Sequence, residues 1–353
     1  MKIAVTADCH LDDGKVHPER YEALEEILHG LSSAGVENLL VAGDLFDSSI
    51  QDYSRFDALC RRYAGVFLHV IPGNHDARLS ERAVTAENVA VYTRPTLSTL
   101  GDLPFLFLPY REGVRMGEAA AEVDPLPGGR WVLVGHGDSS AASRIGNAYE
   151  EGTYMPLSSA EMRELNPSVA LLGHIHKPFD SGRLHYPGSP CGMDINETGP
   201  RRYLLLDSQT LSVTEQTLDS GMVFLQARYV VIPEEGALKR LDEQIEQTLS
   251  RWEDQVPGLR ERARVRVVAA GYTEDRRGVF QCLRSGFSHL SFYNDEEPDV
   301  SGLRESVDLQ RSALASRVRE LVDDLEWPFG GTEPERREVL QQALELIYGQ
   351  GQR

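Results

Sequence analysis

The sequence has few cysteines, a deficit of basic residues and no long apolar run. Its four cysteines lie far apart and form no Cys-x-x-Cys pair, so we interpret them as reduced thiols. No apolar run approaches the ~20 residues of a membrane-spanning helix, and the chain begins as a strand without a secretory signal. We therefore expect a cytoplasmic protein with no membrane contact.

Acidic residues outnumber basic ones by 55 to 36 over 353 residues, which gives a formal net charge of -19. Residues 1–221 carry -13 and residues 222–353 carry -6. Because phosphate contacts need clustered Lys and Arg, this balance excludes a basic, free-standing nucleic-acid binder. The composition is otherwise that of a globular protein, and the length suggests two or three domains.

Short apolar runs alternate with helical patterns in the first two hundred residues, which predicts a layered α/β fold. We predict helices at 19–31 and 53–63. The predicted strands are 3–6, 38–42, 66–71, 105–108, 131–134 and 169–172, followed by a hairpin of 203–206 and 211–215. Near residue 221 this pattern changes, so we place a domain boundary there.

The remaining sequence predicts a small α+β domain and two C-terminal helices. Strands at 224–232, 263–269 and 289–293 alternate with helices at 235–252 and 278–284, and the acidic stretch 295–299 is interpreted as a linker. A helix at 311–326 has one apolar stripe, and Thr332 and Glu335 have the spacing of a capping box before the last helix. The predicted domains are therefore 1–221, 222–298 and 299–353.

Five short motifs each follow a predicted strand. They are Asp8-Cys9-His10, Gly43-Asp44-Leu45-Phe46-Asp47, Gly73-Asn74-His75-Asp76, Gly135-His136-Gly137-Asp138 and Gly173-His174-Ile175-His176. Ligands bind beyond the carboxyl ends of strands in open α/β sheets, so these residues can converge. Imidazole with carboxylate and amide oxygen suits Mn, Fe or Zn. Alternation aims Asp8 and His10 to one side and Cys9 to the other, so Cys9 is interpreted as a core residue.

Together these motifs resemble the pattern of the calcineurin-like metallophosphoesterases over about residues 1–215. The resemblance implies a β-sandwich flanked by helices and a site for two divalent metal ions, with Mn expected before Fe or Zn. Two such ions are the usual clamp for hydrolysis of phosphate esters. By motif, one ion would be bound by Asp8, His10 and His176, and the other by Asn74, His136 and His174, while Asp44 would bridge them.

The resemblance also assigns catalytic roles outside the metal ligands. His75 would contact the scissile phosphate and help protonate the leaving oxygen, and it would not bind metal. Asp47 and Asp76 would orient His75 and its loop.

Further details resemble the SbcD/Mre-type subunit of DNA double-strand-break repair nucleases. They are Ala42–Asp47, Gly173–Pro178 and the downstream Tyr186-Pro187-Gly188-Ser189-Pro190. This branch implies exonuclease or endonuclease activity on DNA, a capping domain, C-terminal helices that dock on an SMC-like coiled-coil ATPase (SbcC-like), and a homodimer. The chain departs from the branch at Asp12, where a Gly is usual, and at Asp47, where some members have His.

Several alternatives stay open. The substrate could be a nucleotide or a phosphoprotein, and the chain could instead be a scaffold with a vestigial site. An arginine series in the second domain, with Arg262, Arg264 and Arg266 as candidate substrate-binding residues among Arg260 to Arg277, either contacts DNA phosphates or forms a solvated strand face. The C-terminal helices either bind a partner or pack on their own domain.

Overall fold

The computed structural model describes residues 1–13, 16–142, 152–219, 221–306, 308–327 and 335–349. The chain divides into two compact units. Unit 1 comprises residues 1–193 and 200–222, and unit 2 comprises residues 194–199 and those from 223 onward. The regions 222–298 and 299–353, which the sequence assigns to separate domains, both belong to unit 2 except for Met222.

Unit 1 contains all the strands predicted for its sequence, with ends that differ by at most two residues. In chain order its elements are β1 Lys2–Thr6, α1 Pro18–Ala34, β2 Asn38–Ala42, α2 Ser54–Arg62, β3 Phe67–Ile71, β4 Val89–Val91, β5 Thr96–Leu100, β6 Leu103–Leu108, α3 Met116–Ala120, β7 Val132–His136, α4 Ser159–Leu165, β8 Val169–Gly173, β9 Phe179–Ser181, β10 Leu184–Tyr186, β11 Arg202–Asp207 and β12 Val213–Thr217. The short strands β4, β5, β9 and β10 and the helices α3 and α4 were not predicted.

These strands form two six-stranded sheets, in the orders β12-β11-β1-β2-β3-β4 and β5-β6-β7-β8-β10-β9. The central pairs β1–β2, β2–β3, β6–β7 and β7–β8 are parallel. Val5 and Leu40 of the first sheet and Phe107 and Val134 of the second belong to one buried cluster. The two sheets therefore pack face to face as a β-sandwich.

Helices cover the outer faces of this sandwich, which confirms the predicted α/β class. Helix α1 begins with Pro18 in its first turn and ends at Ala34, and Gly35 in the left-handed conformation (φ 66°) caps it. Its predicted stripe, including Leu24 and Leu28, is buried against the first sheet. Burying each such side chain stabilises the fold by roughly 1.5–3 kcal/mol. Helix α3 packs against the second sheet through Met116.

Unit 2 is built on a parallel sheet. Its elements are β13 Val223–Val231, α5 Ala237–Gln255, α6 Leu259–Arg262, β14 Ala263–Thr273, α7 Arg276–Gly286, β15 Ser291–Phe292, β16 Asp299–Glu305, α8 Leu309–Asp324 and α9 Arg336–Gly349. Strand β14 pairs in parallel with β13, β15 and β16. Residues 299–305 are thus a strand of this sheet, and the segment after 298 does not begin with a helix. Thr332 of the predicted capping box lies outside the described residues.

Helix α8 exposes much of the apolar stripe that the sequence shows. Leu314, Leu321 and Leu325 are 53%, 55% and 52% exposed, whereas Ala315 and Ser312 on another face are buried. The helix therefore packs through Ser312, Ala315 and Val318, while Leu314, Leu321 and the C-cap residue Leu325 stay in solvent. In the described residues, no helix combines the length and the apolarity that a membrane crossing requires.

Candidate metal centre

The seven predicted metal ligands come together beyond the carboxyl ends of five strands. Asp8, Asp44 and Asn74 lie in the loops after β1, β2 and β3 of the first sheet, while His136 ends β7 and His174 follows β8 of the second. The sequence predicted convergence at a sheet edge, and the structure places the residues across both layers of the sandwich. Parallel pairing explains this, because it aligns the carboxyl ends of neighbouring strands.

Asp8, His10 and His176 form the first group of candidate ligands. Their ligand atoms lie within 4.8 Å of one another, and all three side chains are buried. The Nε2 atoms of His10 and His176 are 3.1 Å apart. Two nitrogens that bind one ion at bond lengths of ~2.1 Å are separated by a similar distance.

Asn74, His136 and His174 form the second group. The Oδ1 atom of Asn74 is 2.8 Å from Nε2 of His136 and 3.2 Å from Nδ1 of His174. The Oδ2 atom of Asp44 lies between the groups, 3.3 Å from Nε2 of His136 and 3.7 Å from Nε2 of His10. Asp44 is therefore placed to contact ions held by either group.

The backbone at this centre is strained. Asp8, His10, Asp44 and His174 have positive φ values of 55°, 46°, 48° and 97°. This region is unfavourable for residues other than glycine and costs about 1–3 kcal/mol at each position. Such strain persists only where the surrounding structure enforces it, and here it turns each side chain towards the centre. Gly43 is required for space, because a Cβ atom there would overlap the His136 imidazole.

Burial and mutual charge perturb the acids and bases of the centre. Burial raises the pKa of Asp8 to about 6 and lowers that of His10 to about 3. Burial also disfavours ionisation of His136 and Asp44, but their mutual attraction dominates. It raises the pKa of His136 to about 9 and holds the pKa of Asp44 well below its usual range. The charge of Asp44 is thus stabilised by His136, whereas burial destabilises the charged form of Asp8, which a further positive ion would favour.

The residues of this centre fit two divalent ions. The Oδ2 atom of Asp8 is fully buried and has no hydrogen-bond partner in the described part of the chain. A buried anionic oxygen without a partner is costly unless a cation contacts it. The donor set of imidazole, carboxylate and amide oxygens suits Mn, Fe or Zn. Asp8, His10 and His176 would hold one ion and Asn74, His136 and His174 the other, with Asp44 between the two groups.

The three predicted catalytic residues lie in and around the same loops. The backbone N–H of His75 donates to Oδ1 of Asp44 at 2.8 Å, and its ring contacts that of His10 edge-on at 4.6 Å. Asp76 accepts hydrogen bonds from the N–H groups of Gly73 and Phe46, at 2.6 and 3.1 Å. Asp76 therefore ties the second and third motif loops together. A nitrogen of His75 also lies within 4.8 Å of ligand atoms of His10 and Asp44.

Asp47 has different contacts. It accepts a hydrogen bond from the N–H of Ser49 at 2.8 Å, and its Oδ2 is 3.8 Å from the guanidinium of Arg20. These contacts fix the loop that carries Asp47. That Asp47 also orients His75 stays a prediction.

Two buried arginines were missed by the sequence analysis. Arg20 donates to the carbonyl oxygen of His10 at 2.6 Å, and Arg201 donates to that of His176 at 3.0 Å. Both are at most 9% exposed. Each arginine thus holds the backbone of a candidate ligand in the first group. Neither belongs to a motif, although Arg20 opens the helix that follows the first motif.

Aromatic residues border the second group and were also missed. The Tyr154 ring lies 4.7 Å from that of His174, and the Tyr110 ring lies 6.3 Å from that of His136. Asp138, from the fourth motif, accepts a hydrogen bond from the N–H of Tyr154 at 2.7 Å. Its Oδ1 is 3.8 Å from Nε2 of His174. Asp138 therefore connects a candidate ligand to the tyrosine beside it.

The arginine series in unit 2 is not a uniform basic strip. Arg264 and Arg266 alternate with buried valines on β14, as expected, but Arg262 lies in helix α6. Arg266 forms a bidentate ion pair with Glu296 at 2.9 Å. Arg262 and Arg264 donate to backbone carbonyl groups. The charge of Arg266 is therefore compensated within unit 2, which favours the interpretation as a solvated face for that residue.

Comparison with known proteins identifies the class. Residues 1–178, half of the chain, match the family model of calcineurin-like phosphoesterases. The chain belongs to the calcineurin-like phosphoesterase family. The matched region includes all seven candidate ligands together with His75, Asp47 and Asp76.

Similar solved structures have low sequence identity to the chain. A novel archaeal phosphodiesterase is 17% identical, with a TM-score of 0.32, and the match covers 62% of this chain and all of that one. A dimetal phosphatase from Danio rerio is 11% identical, with a TM-score of 0.34, over 62% and 98% of the two chains. No curated protein sequence matches the chain significantly.

Proposed function

We propose that the protein is a two-metal phosphodiesterase that cleaves DNA as the nuclease subunit of a repair complex. The observation that carries the hydrolase assignment is the paired ligand geometry, with Asp44 Oδ2 between the two groups. Ions bound there would supply an activated water and positive charge beside the phosphate oxygens. We expect Mn in this role.

In this proposal His75 is the catalytic residue that the chain itself contributes. Its ring is half-buried at the edge of the centre, and its backbone is fixed by Asp44. A group in this position can contact the phosphate and donate a proton to the leaving oxygen. Such general acid catalysis typically contributes 10²–10⁴-fold to the rate. Asp76 supports it by joining the loop of His75 to that of Asp44.

The DNA substrate and the partner are inferred from the motif resemblance to SbcD/Mre-type subunits. The exposed stripe of Leu314, Leu321 and Leu325 supports a protein partner, because soluble monomers rarely leave such apolar clusters in water. We propose that an SMC-like, coiled-coil ATPase covers this stripe. The homodimer remains a prediction from the same resemblance.

The substrate class is tested with the purified, Mn-loaded chain. It is offered linear duplex DNA, a chromogenic bis-aryl phosphodiester and the matching monoester, with and without an SMC-like coiled-coil ATPase from the same organism. We expect cleavage of the diester and of DNA. Monoester hydrolysis without DNA cleavage under either condition would refute the nuclease proposal while leaving the phosphoesterase assignment intact.

The role of His75 is tested by the substitution His75→Asn. We expect at least ~100-fold slower diester hydrolysis with two bound ions retained, measured by metal analysis of the dialysed protein. If this variant loses an ion, His75 is a ligand and the proposed role is wrong.

The partner surface is tested by Leu321→Glu in co-purification with the ATPase. The matched control is Leu97→Glu, at a 41%-exposed leucine on β5 in unit 1. We expect only Leu321→Glu to abolish co-purification. Equal retention by both variants would contradict docking on α8.

A further inference from the structure

A second polar site lies within unit 2. A cavity of about 300 Å³ opens beside β13, between helix α5 and the helices α8 and α9. Over residues 228–230, β13 is the edge strand of the described sheet, since it pairs there with β14 alone. Val230 packs with α9 on one side of the sheet, and Tyr229 packs with α5 on the other. The cavity therefore forms where the two helical layers extend past the sheet edge.

Arginine dominates the lining of this cavity. Five arginines and one carboxylate, Asp323, line it, although the chain as a whole carries -19. The arginines are Arg228, Arg251, Arg319, Arg336 and Arg337. This concentration reverses the local sign of charge.

Only part of this positive charge is compensated by neighbouring carboxylates. Arg319 pairs with Glu234 at 2.5 Å, and Arg337 pairs with Glu335. Five arginines against three carboxylates leave two positive charges in excess. Arg228 donates to the amide oxygen of Gln226, so that contact leaves its charge intact.

Helix α5 has two distinct faces. Leu241, Ile245 and Trp252 are buried in the core of unit 2. The cavity face instead carries Gln244, Gln247, Thr248 and Arg251, at the i, i+3, i+4 and i+7 spacing of one helical face. This face offers hydrogen-bond donors and lacks carboxylates, although α5 has several Asp and Glu residues elsewhere on its surface.

Tyr229 supplies an independent indication that a ligand is accommodated. It lines the cavity and is 7% exposed, and its buried hydroxyl group makes no hydrogen bond of normal geometry with the described residues, although the Thr248 side chain of the same cavity lies close enough to interact with it. Buried hydroxyl groups are normally satisfied. A ligand oxygen in the cavity would provide a partner for it.

We propose that this cavity binds a small phosphate-bearing molecule, with Arg228 and Arg251 as its principal charged contacts. Guanidinium groups match the geometry of phosphate oxygens, and the amide and hydroxyl donors of α5 can satisfy further oxygens. A volume of about 300 Å³ lies at the lower end of the ~300–1,000 Å³ range of small-molecule sites. This favours phosphate, pyrophosphate or a nucleotide over a polymer. The proposal does not depend on the activity of the metal centre.

The test uses the full chain stripped of metal, so that the candidate metal centre does not bind the probes. Inorganic phosphate and pyrophosphate are titrated by calorimetry. Arg228→Gln and Arg251→Gln are each expected to weaken binding at least ~10-fold, because each removes a charge-assisted hydrogen bond. The control Lys239→Gln removes one charge from a side chain on α5 that is 84% exposed, and it should change binding less than twofold.

Three outcomes would overturn the proposal. They are no saturable binding of either probe at ~10 mM, equal weakening by Arg251→Gln and Lys239→Gln, or tight Arg251-dependent binding confined to a single-stranded oligonucleotide. The last outcome would assign the arginines to a nucleic-acid backbone. Thermal unfolding of each variant checks that the exposed substitutions leave unit 2 folded.

Discussion

The substitution Asp8→Asn should stabilise the metal-free protein and destabilise the metal-loaded one. Asp8 is completely buried, and its Oδ1 accepts a hydrogen bond from the N–H of His174 at 2.8 Å, while its Oδ2 has no partner among the described residues. Asparagine keeps the shape and the Oδ1 acceptor and removes the charge. The sign of its effect therefore depends on whether a cation is bound.

For the metal-free protein, the change in unfolding free energy caused by Asp8→Asn follows from the pKa of Asp8. Burial raises it from 3.8 to about 6, so the folded state disfavours the charge. The charged carboxylate therefore lowers the free energy of unfolding. This loss is absent below pH 4, grows as the pH rises and reaches about 3 kcal/mol above pH 6. In the variant, the buried amide N–H₂ of asparagine has no acceptor, which lowers the free energy of unfolding by ~1–2 kcal/mol. At pH 7 the variant should thus gain about 1–2 kcal/mol of unfolding free energy.

With metal, the balance reverses. An ion at ~100 times its Kd stabilises the folded state by ~2.7 kcal/mol, and Asp8→Asn would remove a candidate carboxylate ligand from the first group. If that ion is lost, the variant should be ~1 kcal/mol less stable than the parent chain. For a unit of this size, 1 kcal/mol shifts Tm by roughly 2–4 °C.

The assay is thermal and urea unfolding at pH 7, in EDTA and in Mn. The matched control is Asp57→Asn, another buried carboxylate, which accepts hydrogen bonds from Thr85 and Ala86 outside the candidate metal centre. We expect the control to lose the same stability in both buffers. If Asp8→Asn also destabilises the protein equally with and without Mn, Asp8 is not a metal ligand and the reasoning fails.

Three further predictions concern the surroundings of the centre and helix α8. Arg201→Met should weaken Mn binding about 10–100-fold, measured by titration, because it removes the donor that fixes the backbone of the candidate ligand His176. Gly43→Ala should cost about 2–4 kcal/mol of unfolding free energy, against ~1 kcal/mol for Gly35→Ala, where φ is also positive but the space is open. Leu321→Gln should change stability by at most ~0.5 kcal/mol in denaturant unfolding, whereas Ala315→Gln should cost several-fold more.

The elements of unit 1 were largely predictable because each strand is a local apolar run. The motif residues could be placed at strand ends for the same reason, and parallel pairing brings those ends together. The division into two sheets was implied by the family resemblance alone and has no local signal in the sequence, since the pairing of β7 with β8 rather than with β3 depends on packing across the whole unit. The short strands β9 and β10 lack any local signal beyond the turn at Gly182.

Residues that act through the backbone were beyond prediction from the sequence. Arg201 reaches the carbonyl of His176 across 25 positions, and Tyr154 is held beside His174 by the carboxylate of Asp138. Such contacts have no characteristic spacing. The apolar stripe of α8 was visible in the sequence, but only packing shows that the helix face with Ala315 is buried and the face with Leu314 is exposed.

The net charge of -19 is compatible with a phosphodiester substrate because charge acts locally. Salt screens exposed charges beyond ~8 Å at physiological ionic strength, so most of the acidic surface does not affect the centre. Two divalent ions there would outweigh Asp8 and Asp44 by two charges, which suffices to attract a singly charged phosphodiester. We expect few DNA phosphates to contact arginine or lysine. The isolated chain should therefore bind duplex DNA weakly, and its affinity should depend only slightly on salt concentration. A steep dependence would show that DNA phosphates contact a cluster of basic residues, such as the arginines that line the cavity of unit 2.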